Sequence, residues 1–357
     1  MDRSWYVRLA EEGLTMPLAV DLTLHKDRGP EAVEAVLTDG PALGEVLVNA
    51  ARQFGAPLAL PHMDLTLEKE FLLQGLLSGH DAVGAFRLKA PPTEEETRAL
   101  AGALSGPLSR GLEAQVDAVR SVAAEAKDLI PCAMTIGPFS LMTTLLEDPI
   151  TAAYMAGTGA TGEEEPSVAL LWKALELSAR AVERSLRAQL EAGARLAVVC
   201  EPAVNRVYIS PRQMRAADNN FDRLVMANLR HYKDILDEFG ADLFLHDCGE
   251  LTDGILAHLV ELDPAVLSLG SSEKLWEAAK VVPPTTVLYG NLPSKKFYSD
   301  EVISVAGVTQ QAQELVDNMA AIGRPFILGT ECDVLYVSGA EDQIWAKLNA
   351  MGEVTRK

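Results

Sequence analysis

The chain has 357 residues, 48% hydrophobic and 23% charged, with a formal net charge of −20. This is a globular composition with material for a large core, and its acidity repels phosphate backbones, which argues against nucleic acid as a partner. No signal-peptide pattern opens the chain, no apolar run reaches the roughly 18 residues of a membrane helix, and four cysteines make no disulfide scaffold, so a cytoplasmic protein with free or metal-binding thiols is expected.

In chain order, an N-terminal extension leads to the apolar run "APLALPHMD" (56–64), which ends in His62 and Asp64; Glu68 follows. "APPTEEET" (90–97) reads as a loop into a helix, with Thr93 and Glu96 in capping-box spacing. "DLIPCAMTIGPF" (128–139) is the next apolar run, and "GTGATGEEEP" (157–166) the next loop. The stretch 167–193 repeats apolar residues every three or four positions, as a helix does, and ends in glycine. "RLAVVCEP" (195–202) follows, then a helical pattern over 221–240, then "DLFLHDCGE" (242–250), "AVLSLGSSE" (265–273) and "TVLYGNLPS" (286–294). A helical pattern over 309–323 and "PFILGTECD" (325–333) complete the series.

Strands apolar throughout, separated by helices, indicate a parallel sheet covered by helices. Seven such units, with room for one more in the N-terminal half, predict a (β/α)₈ TIM barrel spanning 1–357 as a single domain. A doubly wound open sheet is the rival, but no Gly-rich phosphate turn opens the chain.

Barrel chemistry sits at strand C-termini. Side chains alternate faces along a strand, so His246 and Cys248 point the same way and Asp247 the other. Cys332 lies at the end of the last strand. One imidazole and two thiolates suit zinc, and three protein ligands leave one position of a tetrahedron for substrate. The competing reading makes the cysteines small hydrophobes and the histidine a satisfied core residue. Glu201 and Glu331 are candidates for the remaining position. If Glu201 faces the mouth, its neighbour Cys200 packs outward; Cys132 reads as core. His25, His80, His231 and His258 fall in loops or helices, and His62 stays open.

"HMDLTLEKE", "HDCG", "YGNLPS" and "TECDV" occur in this order at successive strand ends. Together they resemble the uroporphyrinogen decarboxylase superfamily, in its branch of corrinoid-linked methyltransferases. The branch includes methylcobamide:coenzyme M methyltransferases and the methyltransferase components of O-demethylases. The resemblance covers roughly residue 17 to the C-terminus and implies a (β/α)₈ barrel. It implies zinc held by His246, Cys248 and Cys332, and a cobalamin-type corrinoid presented by a separate corrinoid-binding protein. The reaction it implies moves a methyl group between that cobalt and a small methylated substrate, with an aryl methyl ether as candidate, or a thiol. Glu201 and Asp64 are the acids expected to take part, and Glu68 and Asn291 the expected pocket residues. Asp64 and Glu68 also read as a helix N-terminal turn, and Asn291 as a residue that shapes its own turn. A homodimer is expected by family analogy alone. The alternatives are a metal-free decarboxylase-like lyase and a non-catalytic binding barrel. The first calls for basic residues around carboxylates, and only Arg206 and Arg212 lie close to a strand end in sequence.

Overall fold

The computed structural model describes residues 2–77, 79–215 and 220–355. The side chain of His80 lies outside the described part. Seven parallel strands form one curled sheet in sequential order, β1-β2-β3-β4-β5-β6-β7. They are β1 (Leu58–Ala59), β2 (Ile130–Ile136), β3 (Leu196–Cys200), β4 (Asp242–Asp247), β5 (Val266–Leu269), β6 (Val287–Leu292) and β7 (Phe326–Thr330). Each falls inside an apolar run of the sequence.

These runs become strands because both their faces are covered. On β3 and β4, Leu196, Val198, Cys200 and Phe244 point into the barrel with Met134, Val266, Tyr289 and Ile327. Their neighbours Ala197, Val199, Leu243 and Leu245 point outward into the helix layer. Alternation on strands therefore produces two apolar layers, each burying its side chains at about 25 cal/mol per Å².

The eighth stave is a single bridge rather than a full strand. Thr15 makes an isolated parallel bridge to Leu328 of β7, with Met16 N–H donating to the Leu328 carbonyl at 2.9 Å. On the other side, Met16 and Leu18 pack in the same cluster as Ala56, Leu58 and Leu60 around β1. Among the described residues, side-chain packing rather than a backbone ladder joins the segment to β1. At the level of the mouth Asp21 ties this seam. Its carboxylate accepts from Tyr336 N–H, beyond β7, at 2.7 Å and lies 3.1 Å from His62 Nε2, beyond β1.

The N-terminal helix Ser4–Glu11 covers the opposite end. Tyr6 is fully buried and donates to the Asp242 carboxylate, at the start of β4, at 2.9 Å. The helix Pro166–Glu191 buries the stripe Leu171, Ala174, Ser178, Val182 and Leu186, matching the predicted period. The pattern over 221–240 resolves into a π-helical turn, Asp222–Met226, followed by the α-helix Ala227–Phe239. Thr93 and Glu96 form the expected reciprocal cap. Among the described residues no helix is long and apolar enough to cross a membrane.

Candidate metal centre

His246 occupies the last inward-facing position of β4 and is 1% exposed. Parallel register sets it beside Cys200 on β3 and Ser268 on β5. Ser268 Oγ lies 2.8 Å from Nδ1. In the tautomer that donates Nδ1–H to Ser268, Nε2 is left as an acceptor. That Nε2 is buried and has no hydrogen-bond partner. An orphaned buried polar atom costs about 1–3 kcal/mol, so its retention points to a ligand.

Cys248 follows β4 and Cys332 follows β7. The donor atoms of His246, Cys248 and Cys332 all lie within 4.8 Å of one another, the sole such group of three among the described residues. The hydrogen bond from the Cys332 thiol holds the Cys248 thiol well below the ordinary range; burial opposes this, and His246 and Lys295 add to it. The same contact, with burial, raises Cys332. Close backbone packing fixes Cys248. A Cβ on Gly270 would sit 2.6 Å from the Cys248 carbonyl oxygen, so the loop after β5 approaches as only glycine allows. Met63 Sδ covers Cys332 Sγ at 3.8 Å, and Lys295 Nζ lies 3.6 Å from Cys248 Sγ.

The expected acids stand elsewhere, and two expectations are corrected. Cys200 faces into the barrel, because register pairs it with His246; its sulfur nevertheless falls outside the group of three. Glu201 consequently faces outward, away from the barrel interior, to the N-terminus of the helix Pro138–Leu145. Its oxygens accept from Phe139 N–H (3.1 Å), Ser140 N–H (2.9 Å) and Ser140 Oγ (2.6 Å). Burial pushes its pKa up to about 7 against the pull of these donors. Gly137 makes room for it: a Cβ there would sit 2.1 Å from the carboxyl carbon. Glu331, the other candidate for a fourth position, accepts from Ser271 N–H and Oγ at 3.1 and 2.6 Å.

Asp64 accepts from Thr66 N–H and Oγ1 at 2.9 and 2.6 Å, in the turn that precedes the helix Leu67–Leu73. With His62, Glu70 and Arg110 it borders a cavity of about 530 Å³ beside the β1 end. Glu68 does not line that cavity. It turns into the helix layer, where Ser185 Oγ donates to it at 2.7 Å, and burial pushes it up to about 7. The physical reason is helical spacing: Phe71 and Leu72, three and four positions on, share its face and are fully buried. Asn291 donates to the carbonyls of Gly270 and Glu273 at 2.6 and 2.7 Å, so it shapes the loop that presses on Cys248. It also borders a smaller cleft of about 270 Å³ with Ser271, Lys274 and Lys296.

Sequence reasoning passed over Ser268 and Lys295. Ser268 has a signal, since it is the one polar residue inside an apolar strand. Lys295 has none beyond belonging to a short basic pair. Beyond β7, Asp333 is buried with neither oxygen partnered; burial pushes it up to about 7, with His62 opposing and Asp21 adding.

The uroporphyrinogen decarboxylase (URO-D) family model matches residues 28–344, and the chain belongs to that family. Among solved structures, a methyltransferase from Methanosarcina mazei shares the fold. The TM-score is 0.66 at 17% identity, covering 98% of this chain and 97% of that one. No curated protein matches.

Proposed function

We propose that this chain is a zinc-dependent methyltransferase. It would move a methyl group between the cobalt of a separate corrinoid protein and either a small methylated substrate, such as an aryl methyl ether, or a thiol. The observation that carries the reading is the buried, unpartnered Nε2 of His246 meeting the sulfurs of Cys248 and Cys332 within 4.8 Å. One imidazole nitrogen and two thiolates form a donor set that zinc favours, with one tetrahedral position left. The fold shared with a protein named as a methyltransferase agrees with this reading.

His246, Cys248 and Cys332 are the proposed ligands. Bound there, zinc supplies a Lewis acid that stabilises a thiolate at neutral pH or improves an ether oxygen as leaving group. Ser268 fixes the imidazole plane and tautomer. Asn291 holds the loop after β5 against Cys248. Glu201 and Glu68 serve as frame residues in this reading, and Asp64 borders the cleft beside the site. A corrinoid-binding protein is the proposed partner, and a homodimer the proposed assembly.

The lyase alternative requires free cations for substrate carboxylates. Arg206 is paired with Glu250 at 2.6 Å, and Arg212 Nη1 donates to Tyr154 Oη at 2.8 Å. Both are engaged, so neither arginine that the sequence offered for this role is free.

The test follows methyl transfer spectroscopically, from methylcobalamin to thiols and from aryl methyl ethers to cob(I)alamin. Zinc-loaded protein should catalyse one direction, and Cys332→Ala should abolish it. Metal-free protein that releases carbon dioxide from a polycarboxylate, with no methyl transfer, would establish the lyase instead.

A further inference from the structure

The short turn Ser294–Lys296 after β6 grips both cysteine-bearing chain ends. Ser294 Oγ donates to the Cys332 carbonyl at 3.0 Å. The next residue, Lys295, brings Nζ to 3.6 Å from Cys248 Sγ. Among the described residues no carboxylate lies within ion-pair distance of Lys295, and the acidic group it contacts is the Cys248 sulfur. The two cysteines are thus covered unequally. Cys248 receives an ammonium donor at 3.6 Å, whereas the contact Cys332 makes outside the cysteine pair is to the thioether of Met63 at 3.8 Å.

We infer that Lys295 is a positioning residue that caps the Cys248 sulfur and makes it the poorer nucleophile of the two cysteine ligands; this rests on the zinc reading above. The chemistry follows from hydrogen bonding to charge. A donor on a thiolate draws electron density from the lone pair that would attack carbon, and charge-assisted bonds do so most strongly. A site that handles methyl groups exposes its own thiolates to methylation, which would destroy a ligand. The cap protects Cys248 and leaves Cys332 the more reactive of the two sulfurs. Because Ser294 is anchored to the Cys332 backbone, the cap is held in place by the other ligand strand, and outer contacts of this kind tune a metal site.

The experiment compares wild type, Lys295→Met and Lys295→Arg. Loaded with Co(II), Lys295→Met should shift the sulfur-to-cobalt charge-transfer band to longer wavelength, and Lys295→Arg should restore it. Loaded with zinc and treated with iodoacetamide, each alkylation forms an S–C bond as the C–I bond breaks and iodide leaves. The rate at Cys248 relative to Cys332, read by peptide mass spectrometry, should rise about tenfold in Lys295→Met. Lys295 is exposed, so the variant should fold, and circular dichroism checks this. A band that is present but unmoved, with an unchanged alkylation ratio, overturns the cap alone. Absence of any charge-transfer band in wild type overturns the zinc reading and the cap with it.

Discussion

His246 and Ser268 face each other in register across β4 and β5, with 2.8 Å between Nδ1 and Oγ. The serine fixes which nitrogen of the ring is free. Ser268→Ala should therefore lower zinc affinity about 10–100-fold while the fold stays intact. Competition with a chromophoric chelator measures it, and unchanged affinity would remove Ser268 from the site.

Glu201 should prove structural. Glu201→Ala leaves two N–H groups and a hydroxyl without their buried acceptor. Denaturant unfolding should show a loss of about 2–4 kcal/mol, with zinc content unchanged. Loss of zinc in a variant of normal stability would return Glu201 to the metal.

Glu68 gives a pH signature. Burial raises its carboxyl from 4.5 to about 7, so the folded state binds the proton more tightly than the unfolded chain. The stability this provides is complete below about pH 4.5 and is lost as pH climbs towards 7. Glu68→Gln removes the titration and keeps an acceptor for Ser185. Its stability relative to wild type should rise by about 1–3 kcal/mol between pH 5 and pH 8. A flat difference across that range would contradict the buried, uncharged state.

Asp21 closes the seam between the N-terminal stave and β1. Burial opposes its charge, but the His62 hydrogen bond and the Tyr336 N–H outweigh it and lower its pKa. Burial likewise opposes the charge on His62; the Asp21 hydrogen bond and the nearby carboxylates outweigh it and raise the imidazole. The pair therefore stabilises in a window. Its Asp21 side is lost as pH falls below the ordinary carboxylate range, and its His62 side as pH rises through the raised imidazole value. Asp21→Ala should cost about 2–4 kcal/mol at pH 6 and less at pH 9, measured by urea unfolding at both.

The strands were legible because parallel strands buried on both faces must be apolar throughout, as the fully buried Leu196–Cys200 illustrates. The meeting of His246, Cys248 and Cys332 was legible because the first two share a face by alternation and Cys332 ends a strand. The orientation of Cys200 and Glu201 was not. Alternation says they oppose each other, but only the register of β3 on β4 says which one looks inward. The eighth stave was expected in the N-terminal half, but its position escaped because Leu14–Leu18 is too short for any period to register. Lys295 escaped because its contact with Cys248 depends on Ser294 being tied to a peptide 38 positions away.

The most direct measurement is zinc per chain by mass spectrometry, after chelator-free purification, in wild type, Cys200→Ala and Cys332→Ala. The account predicts about one zinc in wild type and in Cys200→Ala, and a large loss in Cys332→Ala. No zinc in any of the three, or zinc kept by Cys332→Ala and lost by Cys200→Ala, would contradict it.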